Sequence, residues 1–419
     1  MAYDIASDTA TGAEAELRKA APAPGILNQV ALGYSAFIDR NRAVTATRLT
    51  VFPMRPDALL DAAQLLAAVA EVWPASGGRV SLNVVSESLL QDLLRAGPAE
   101  NLMVEVPAFM AIDPDQTDAL CALHASGSTL LLKGRPLHEL PRAVLPCFKY
   151  SIIELGDDRR VAESTAPAGV LRSMPHVQSG VRTMVEMEAS FARGAHAVLG
   201  WPIDDAVKAS GSRGSTAASG MQVIVELIRQ VDTEAAIERL ENTLKRDPTL
   251  AFKLLRYINS PAFGLRVEVS SFRHAIMLLG YQRLKRWLAL LLATASKDVN
   301  LKPVMFAAVR RGLLMEELAR STGDEEMRSE MFICGVFSLL DRMFQQPFDA
   351  LLDTIPVPER VRQTLVDGAG PFQPYMDVVK AAESESLFDF REAAERLMMG
   401  VGEINRAQLR AATAAHSLE

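Results

Sequence analysis

Short apolar runs alternate with helix-like segments in the first half of the chain. Segments 57–73, 87–95 and 115–125 carry apolar residues at helical spacing. The apolar runs between them are of strand length and predict parallel strands: 30–37, 44–51, 80–85, 102–106, 129–132 and 148–153. This order predicts repeated β-α units, either closed into a barrel or packed as a doubly wound sheet, and we favour the barrel. Because the helical segments shorten after Lys133, the barrel should be a trimmed one.

The second half of the chain has helical patterns and no strand patterns. Asp247 before Pro248 is a helix N-cap followed by proline at the first helical position. Ser271 can cap a further helix, and 284–292 is apolar on nearly all sides, as expected of a buried helix. Other helices are predicted at 302–320, 325–344, 358–366, 375–383, 388–399 and 404–415. An all-α second domain follows from this pattern.

A stretch of Gly, Ser and Ala at residues 209–220 has the composition of a flexible linker. We therefore predict a flexible N-terminal arm at 1–25, a β/α domain at 26–208, the linker, and a helical domain with a C-terminal helical extension at 221–415. A linker of this kind would let the two domains move relative to each other.

Composition narrows the classes of function. The net charge of -7 argues against general nucleic acid binding and against binding to a membrane surface, both of which need basic surfaces. The three cysteines are far apart and have no partner at zinc spacing, which indicates a reducing, cytoplasmic environment. No secretion signal or membrane span is predicted, since no uncharged apolar run reaches about 18 residues.

The helical half resembles the HDOD family. The resemblance lies in Arg-Asp-Pro-Thr-Leu at 246–250, Leu-Leu-Arg-Tyr-Ile-Asn-Ser-Pro-Ala-Phe-Gly at 254–264, and the segment 271–280. It extends from Gln222 to Leu301, and 335–341 looks like the continuation found where HDOD follows an EAL domain. HDOD domains are similar to HD hydrolases that have lost their metal-binding histidines and aspartates. The resemblance therefore implies a helical domain without a metal centre.

The β/α half resembles a degenerate EAL domain, the fold whose active form hydrolyses cyclic di-GMP with two divalent cations. Residues 39–42 and the next strand align with the opening strands of that family. The alignment puts residues of other chemistry at five functional positions: Arg48 for the signature glutamate, Phe52 for a ligand-contacting arginine, Lys133 for the paired aspartates, Ser151 for an aspartate and Leu199 for a glutamine. It retains polar residues at four: Asn83, Glu105, Lys149 and Glu186.

These substitutions bear directly on metal binding. Two hard cations need several anionic oxygen ligands, whereas Arg48 and Lys133 bring positive charge to those positions. Repulsion at such short range disfavours a bound dication by several kcal/mol, roughly. The resemblance thus implies no metal, no cofactor and no catalytic residue. We expect the four retained polar residues to be vestigial and held by internal ion pairs, with a residual ligand pocket as the alternative.

The segment 281–287 (Tyr-Gln-Arg-Leu-Lys-Arg-Trp) permits two interpretations. Basic and aromatic side chains together can contact nucleic acid. A helix with Leu284 and Trp287 inside and the basic residues in water explains the pattern as well, and we favour it.

Our first functional hypothesis is a non-catalytic adaptor or scaffold of bacterial signal transduction. It would act through contacts with other signalling proteins, and a second copy of the chain is one candidate partner. The first alternative is a cyclic di-GMP receptor without hydrolysis, which the phenylalanine at position 52 disfavours. A residual cyclic di-GMP phosphodiesterase is the least favoured hypothesis.

Overall fold

The computed structural model describes residues 25–73, 78–97, 102–158, 174–205, 218–246, 250, 254, 272–294, 296 and 298–416. Residues 1–24 of the predicted N-terminal arm, most of the predicted linker, the Asp247 cap, the Ser271 cap and most of the 254–264 motif lie outside these residues.

The first half of the chain forms a closed barrel of eight strands that follow one another in sequence order. The strands are β1 (Val30–Asp39), β2 (Val44–Pro53), β3 (Arg79–Val84), β4 (Leu102–Pro107), β5 (Thr129–Lys133), β6 (Phe148–Glu154), β7 (His176–Val181) and β8 (Ala197–Gly200). The predicted barrel is confirmed. One detail differs, because β1 runs antiparallel to both β2 and β8 while the other neighbours pair in parallel. The reason is the tight turn at residues 39–43, which can join only antiparallel strands.

Helices follow four of the eight strands, β2, β3, β4 and β7, on the outside of the barrel. They are α1 (Ala62–Val72), α2 (Glu87–Ala96), α3 (Ala108–Ala111), α4 (Thr117–Ala125) and α5 (Met184–Ala192). Polar side chains set several of their starts: Asp61 accepts from the backbone N–H groups of Ala63 and Gln64, and Ser86 accepts from Leu89.

The described part of the second half is helical, as predicted. Its helices are α6 (Ala218–Asp232), α7 (Ile237–Leu244), α8 (Phe272–Ala293), α9 (Lys302–Leu318), α10 (Glu325–Phe337), α11 (Leu340–Phe344), α12 (Phe348–Leu352), α13 (Glu359–Arg362), α14 (Gln373–Ser384), α15 (Leu387–Leu397) and α16 (Val401–His416). Residues 218–220, which we assigned to the linker, already belong to α6. Among the described helices, none is long and apolar enough to cross a membrane.

The helical half packs directly on the first strand of the barrel. Asn405 of α16 is fully buried, accepts a hydrogen bond from the Leu32 N–H (3.1 Å) and donates to the carbonyls of Leu27 and Val30 (2.7 Å each). Trp201, just after β8, stacks on Phe306 of α9 with 6.3 Å between ring centroids. The barrel and the helices therefore share one hydrophobic core, and the independent domain motion expected from the linker does not fit this packing.

A second, smaller apolar cluster fills the middle of the barrel. Its side chains come from every strand except β3 and point inward: Phe37, Ala46, Met103, Leu131, Ile152, Val177, Ala197 and Leu199. This layer divides the barrel interior into two ends, and each end has its own polar lining.

Candidate functional site

Polar side chains line the barrel interior at the carboxyl ends of the parallel strands, an opening that we call the mouth. Side chains alternate between the two faces of a strand, so the residues two positions beyond the apolar layer also point inward. Continuing the alternation along each strand identifies the residues that line the mouth: Ser35, Arg48, Thr50, Ser81, Asn83, Glu105, Lys133, Glu154 and Ser179. This is the end of a β/α barrel where binding sites are usually built.

Arg48 and Glu105 form a buried ion pair across the mouth. The guanidinium donates from Nε (2.9 Å) and Nη2 (2.7 Å) to the two carboxylate oxygens. The Arg48 side chain is 9% exposed and that of Glu105 0%. Ser81 adds a third hydrogen bond to Glu105, at 3.0 Å. Both oxygens of this carboxylate are thus already used by the chain itself.

Lys133 and Asn83 form a second contact beside this pair. The Lys133 ammonium donates to Asn83 Oδ1 at 2.7 Å, and the Asn83 amide donates to the Thr50 hydroxyl at 3.1 Å. At the other side of the mouth, Ser179 donates to the Glu154 carboxylate at 2.8 Å. The polar groups of the mouth therefore serve as hydrogen-bond partners for one another.

Glu385 reaches into the mouth from the helical half. It follows α14 in the left-handed conformation, with φ 53°. Its carboxylate accepts from the Thr50 hydroxyl (2.5 Å) and the Ser35 hydroxyl (3.3 Å), and lies 3.3 Å from Arg48 Nη1. Gly33 makes room, since a Cβ there would lie 3.1 Å from the Glu385 Cα. A carboxylate from the second half of the chain thus closes the opening of the first.

Charge and burial act together on the two cations of the mouth. Burial opposes the charge on Arg48, but Glu105 and Glu385 outweigh it and raise the Arg48 pKa above its ordinary value. Burial lowers the pKa of Lys133, and the neighbouring Arg48 lowers it further, against the opposite effect of the carboxylates. The carboxylates therefore keep Arg48 positively charged, and repulsion between the two cations lowers the pKa of Lys133.

Four of the nine predicted site residues meet in the mouth: Arg48, Asn83, Glu105 and Lys133. Phe52 follows Thr50 on the inward face of β2, near the end of the strand, where it is partly buried against the main core. Leu199 lies in the apolar layer below the mouth.

The other three predicted site residues do not reach the mouth. Tyr150 and Ile152 point into the barrel, so Ser151 between them faces outward. Lys149 lies at an irregularity of the β5–β6 register, and its ammonium is 5.7 Å from the Tyr150 ring centroid. Glu186 completes a capping box with Thr183 at the start of α5. The prediction that these three residues belong to the site is therefore wrong, because the alignment placed them in the mouth and the structure does not.

Two carboxylates of the mouth, Glu154 and Glu385, were not found from the sequence, nor were the hydroxyl residues Ser35, Thr50, Ser81 and Ser179. Glu154 is the last residue of β6, and a polar side chain directly after the apolar pair Ile152 and Ile153 is a signal that could have identified it. Glu385 has no comparable local signal, because its partner Arg48 is 337 residues away in the chain.

The basic segment at 281–287 is used inside the helical half. Trp287 is 2% exposed, Arg286 pairs with both oxygens of Glu316 at 2.5 Å, and Lys285 pairs with Asp232. Since two of its three basic side chains are neutralised within the chain, this geometry supports the helix interpretation over a nucleic acid contact.

Metal-ligating side chains do not converge in the part of the chain that the structure describes. No group of three or more His, Cys, Asp or Glu side chains there is placed to hold an ion. In the mouth, Arg48 stands between the carboxylates of Glu105 and Glu385, in the position that a shared cation would need.

The HDOD domain model matches residues 218–344 of this chain. Uncharacterized protein YuxH of Bacillus subtilis is 29% identical over 168 residues, which are 38% of this chain and 40% of that protein. Cyclic di-GMP phosphodiesterase CdgJ of Vibrio cholerae is 26% identical over 162 residues, 38% of each chain. The match thus covers well under half the length of these curated relatives.

Solved structures with similarity to this chain include two proteins crystallised with cyclic di-GMP. Klebsiella pneumoniae BlrP1, in a complex with calcium and cyclic di-GMP, is 17% identical with a TM-score of 0.31, over 44% of this chain and 57% of that one. A standalone EAL protein from Vibrio cholerae O395 is 14% identical with a TM-score of 0.30, over 41% and 89%. The chain carries an HDOD domain at residues 218–344, joined to a closed eight-stranded barrel.

Proposed function

We propose that this chain is a non-catalytic adaptor or scaffold in bacterial cyclic di-GMP signalling and that it acts through protein contacts. The observation that carries the proposal is the ion-pair network of Arg48, Glu105 and Glu385, which fills the mouth with the chain's own charges. A phosphodiesterase of this type would need that space for metal ions and substrate.

Electrostatics oppose a metal ion at this position. A unit charge about 4 Å from Arg48 or Lys133 meets a repulsion on the order of 4 kcal/mol at an effective dielectric constant of about 20, and a dication meets about twice that. Displacing Arg48 instead would leave a buried cation without Glu105, a change that costs about 3–5 kcal/mol in comparable pairs. Either route makes a catalytic metal centre unfavourable.

Exposed apolar side chains around the mouth offer a surface for protein contacts, which we call the rim. The rim consists of large apolar residues on the segments that follow the carboxyl ends of the strands: Leu59, Val85, Phe109, Leu137 and Val185. Leu59 is 97% exposed and Leu137 88%. Soluble proteins rarely leave several such side chains around one opening unless a partner covers them.

A cyclic di-GMP receptor is the second candidate function. The relative CdgJ, named as a cyclic di-GMP phosphodiesterase, favours it, because a chain can keep nucleotide binding after losing hydrolysis. Against it, the Glu385 carboxylate already occupies the position beside Arg48 where a phosphate group would form its strongest hydrogen bonds.

Hydrolysis and binding assays on the purified full chain test both candidates. With cyclic di-GMP and either magnesium or manganese, we expect no turnover by chromatography and no binding by calorimetry. The Glu385→Ala variant should also be inactive, because Arg48 and Lys133 remain. Metal-dependent turnover by the unchanged protein would refute the proposal, and micromolar binding without turnover would favour the receptor.

The rim provides the positive test of a scaffold. A tagged full chain should retain specific proteins from a lysate of its native host, and the double variant Phe109→Ser, Leu137→Ser should lose them. Met398→Ser is the matched control, because Met398 is 92% exposed but lies in the helical half. Retention by the rim variant equal to that of the control would exclude the rim as the contact surface.

A further inference from the structure

The barrel is open at the end opposite the mouth, where the strands begin. A cavity of about 360 Å³ lies there, which we call the basal pocket. Strand register brings its walls together, since Asp39 pairs with Ala197 and Ala46 pairs with Arg79. This volume is within the range of about 300–1,000 Å³ that small-molecule sites occupy. The basal pocket shares no residue with the mouth.

The floor of the basal pocket is apolar. It consists of the lower side of the inner cluster: Phe37, Ala46, Met103, Val177 and Ala197. At one side the rings of Tyr150 and His196 stack, with centroids 5.1 Å apart and planes 25° apart. Both features would stabilise a bound aromatic ring, because the ring would bury apolar surface on the floor and stack beside Tyr150 and His196.

The edge of the basal pocket is cationic. Arg40 donates from Nε to the Ala195 carbonyl at 2.9 Å, which directs the guanidinium without neutralising it. Within the described ranges neither Arg40 nor Arg79 has an ion-pair partner, although both line the pocket. Asp39 is the one acidic residue of the lining, and its Oδ1 accepts from the backbone N–H groups of Asn41 (2.8 Å) and Ala43 (2.9 Å). The pocket edge thus carries two arginines and one carboxylate, and that carboxylate is already hydrogen-bonded to the backbone of the 39–43 turn.

We propose that the basal pocket binds a flat aromatic molecule carrying an anionic group such as a phosphate or a sulfonate. The ring lies on the apolar floor beside Tyr150 and His196, and the anion receives hydrogen bonds from Arg40 and Arg79. Charge-assisted hydrogen bonds from guanidinium groups are among the stronger polar contacts that a protein offers. The site is independent of the proposed scaffold function, because its residues lie on the other side of the inner cluster.

Calorimetry with 1-naphthyl phosphate on the full chain tests this inference. We expect one molecule bound per chain. Arg79→Ala should raise the Kd by about tenfold, because it removes one charge-assisted contact. Arg95→Ala is the matched control, as an exposed arginine on α2 outside the pocket, and should leave the Kd unchanged. Inorganic phosphate should bind at least tenfold more weakly than the naphthyl probe, because it lacks the ring.

A second pair of variants separates the two ends of the barrel. Ala46→Leu fills the floor and should weaken binding, and Lys133→Ala, at the mouth, should leave it unchanged. No binding of the probe at millimolar concentration would overturn the proposal. It would equally fail if Lys133→Ala abolished binding, or if Arg40→Ala and Arg79→Ala both bound as the unchanged protein does.

Discussion

Buried arginines in this protein occupy two very different environments. Arg48 in the mouth pairs with Glu105 through two hydrogen bonds. Arg310 of α9 is 1% exposed, and its three side-chain nitrogens have no hydrogen-bond partner among the described residues. Its guanidinium lies 3.1 Å from the centroid of the Tyr34 ring, and burial lowers its pKa to about 10. Arg48 thus belongs to a satisfied network, whereas Arg310 relies on cation–π attraction.

Replacing Arg48 should reveal how much the mouth depends on its pair. Arg48→Ala leaves Glu105 buried without its cation, so the free energy of unfolding should fall by about 3–5 kcal/mol. Urea unfolding followed by circular dichroism measures this change. Arg95→Ala breaks the exposed pair with Asp92, 70% and 56% exposed, and should cost less than about 1 kcal/mol. Equal losses in the two variants would contradict our account of the mouth.

Helices α9 and α10 approach closely at two glycines. A Cβ on Gly335 would lie 2.5 Å from the Arg311 carbonyl oxygen and 2.6 Å from the Gly312 N. A Cβ on Gly312 would lie 2.4 Å from Val336 Cγ2 and 2.9 Å from the Phe332 carbonyl oxygen. Because backbone atoms cannot move as a flexible side chain can, both positions require glycine. Both helices lie within the HDOD match, and α9 also packs on the barrel through Phe306.

Gly335→Ala should force α9 and α10 apart. We expect the free energy of unfolding to fall by about 1–3 kcal/mol, as in other overpacked cores. Gly400→Ala is the control, because a Cβ there meets no atom within 4 Å. Thermal unfolding of the two variants measures the difference, and an unchanged melting temperature for Gly335→Ala would show that the helices are less tightly packed than described.

The sequence predicted the elements of the barrel better than their arrangement. Apolar runs identified the first six strands, but β8 has only four residues and offered too short a pattern. Periodicity also carries no information on strand direction, so the antiparallel β1 was not foreseen. In the mouth, Arg48, Asn83, Glu105 and Lys133 were identified by resemblance. Glu385 could not be, because only the folding of distant helices brings it there.

At the scale of the whole molecule, the two halves have the features of one cooperative unit. Their apolar side chains form a single core cluster, and polar contacts cross between them at Asn405 and at Glu385. Tyr34 of β1 also donates to Glu383 of α14 at 3.3 Å, and Glu383 is bound by Arg311 of α9. Separation of the halves would expose both the core and these buried charges.

Unfolding should therefore be a single transition for barrel and helices. Trp73 follows α1 on the barrel and Trp287 lies in α8, and each is 2% exposed. Variants that keep one of these tryptophans and carry phenylalanine at the other two positions report on each half by fluorescence. We expect coincident midpoints in urea, as two-state behaviour requires. Midpoints that differ by more than the effect of the substitutions would indicate independently folding halves.

The three hydrogen bonds of Asn405 also have a consequence for protein synthesis. Strand β1 and the residues just before it contain two acceptors and one donor whose partner is made more than 370 residues later. At about 5–20 residues per second, this strand waits tens of seconds before it can complete its packing. During that interval its apolar surface is a natural target for chaperones, and translation that stops early leaves a barrel with one wall uncovered.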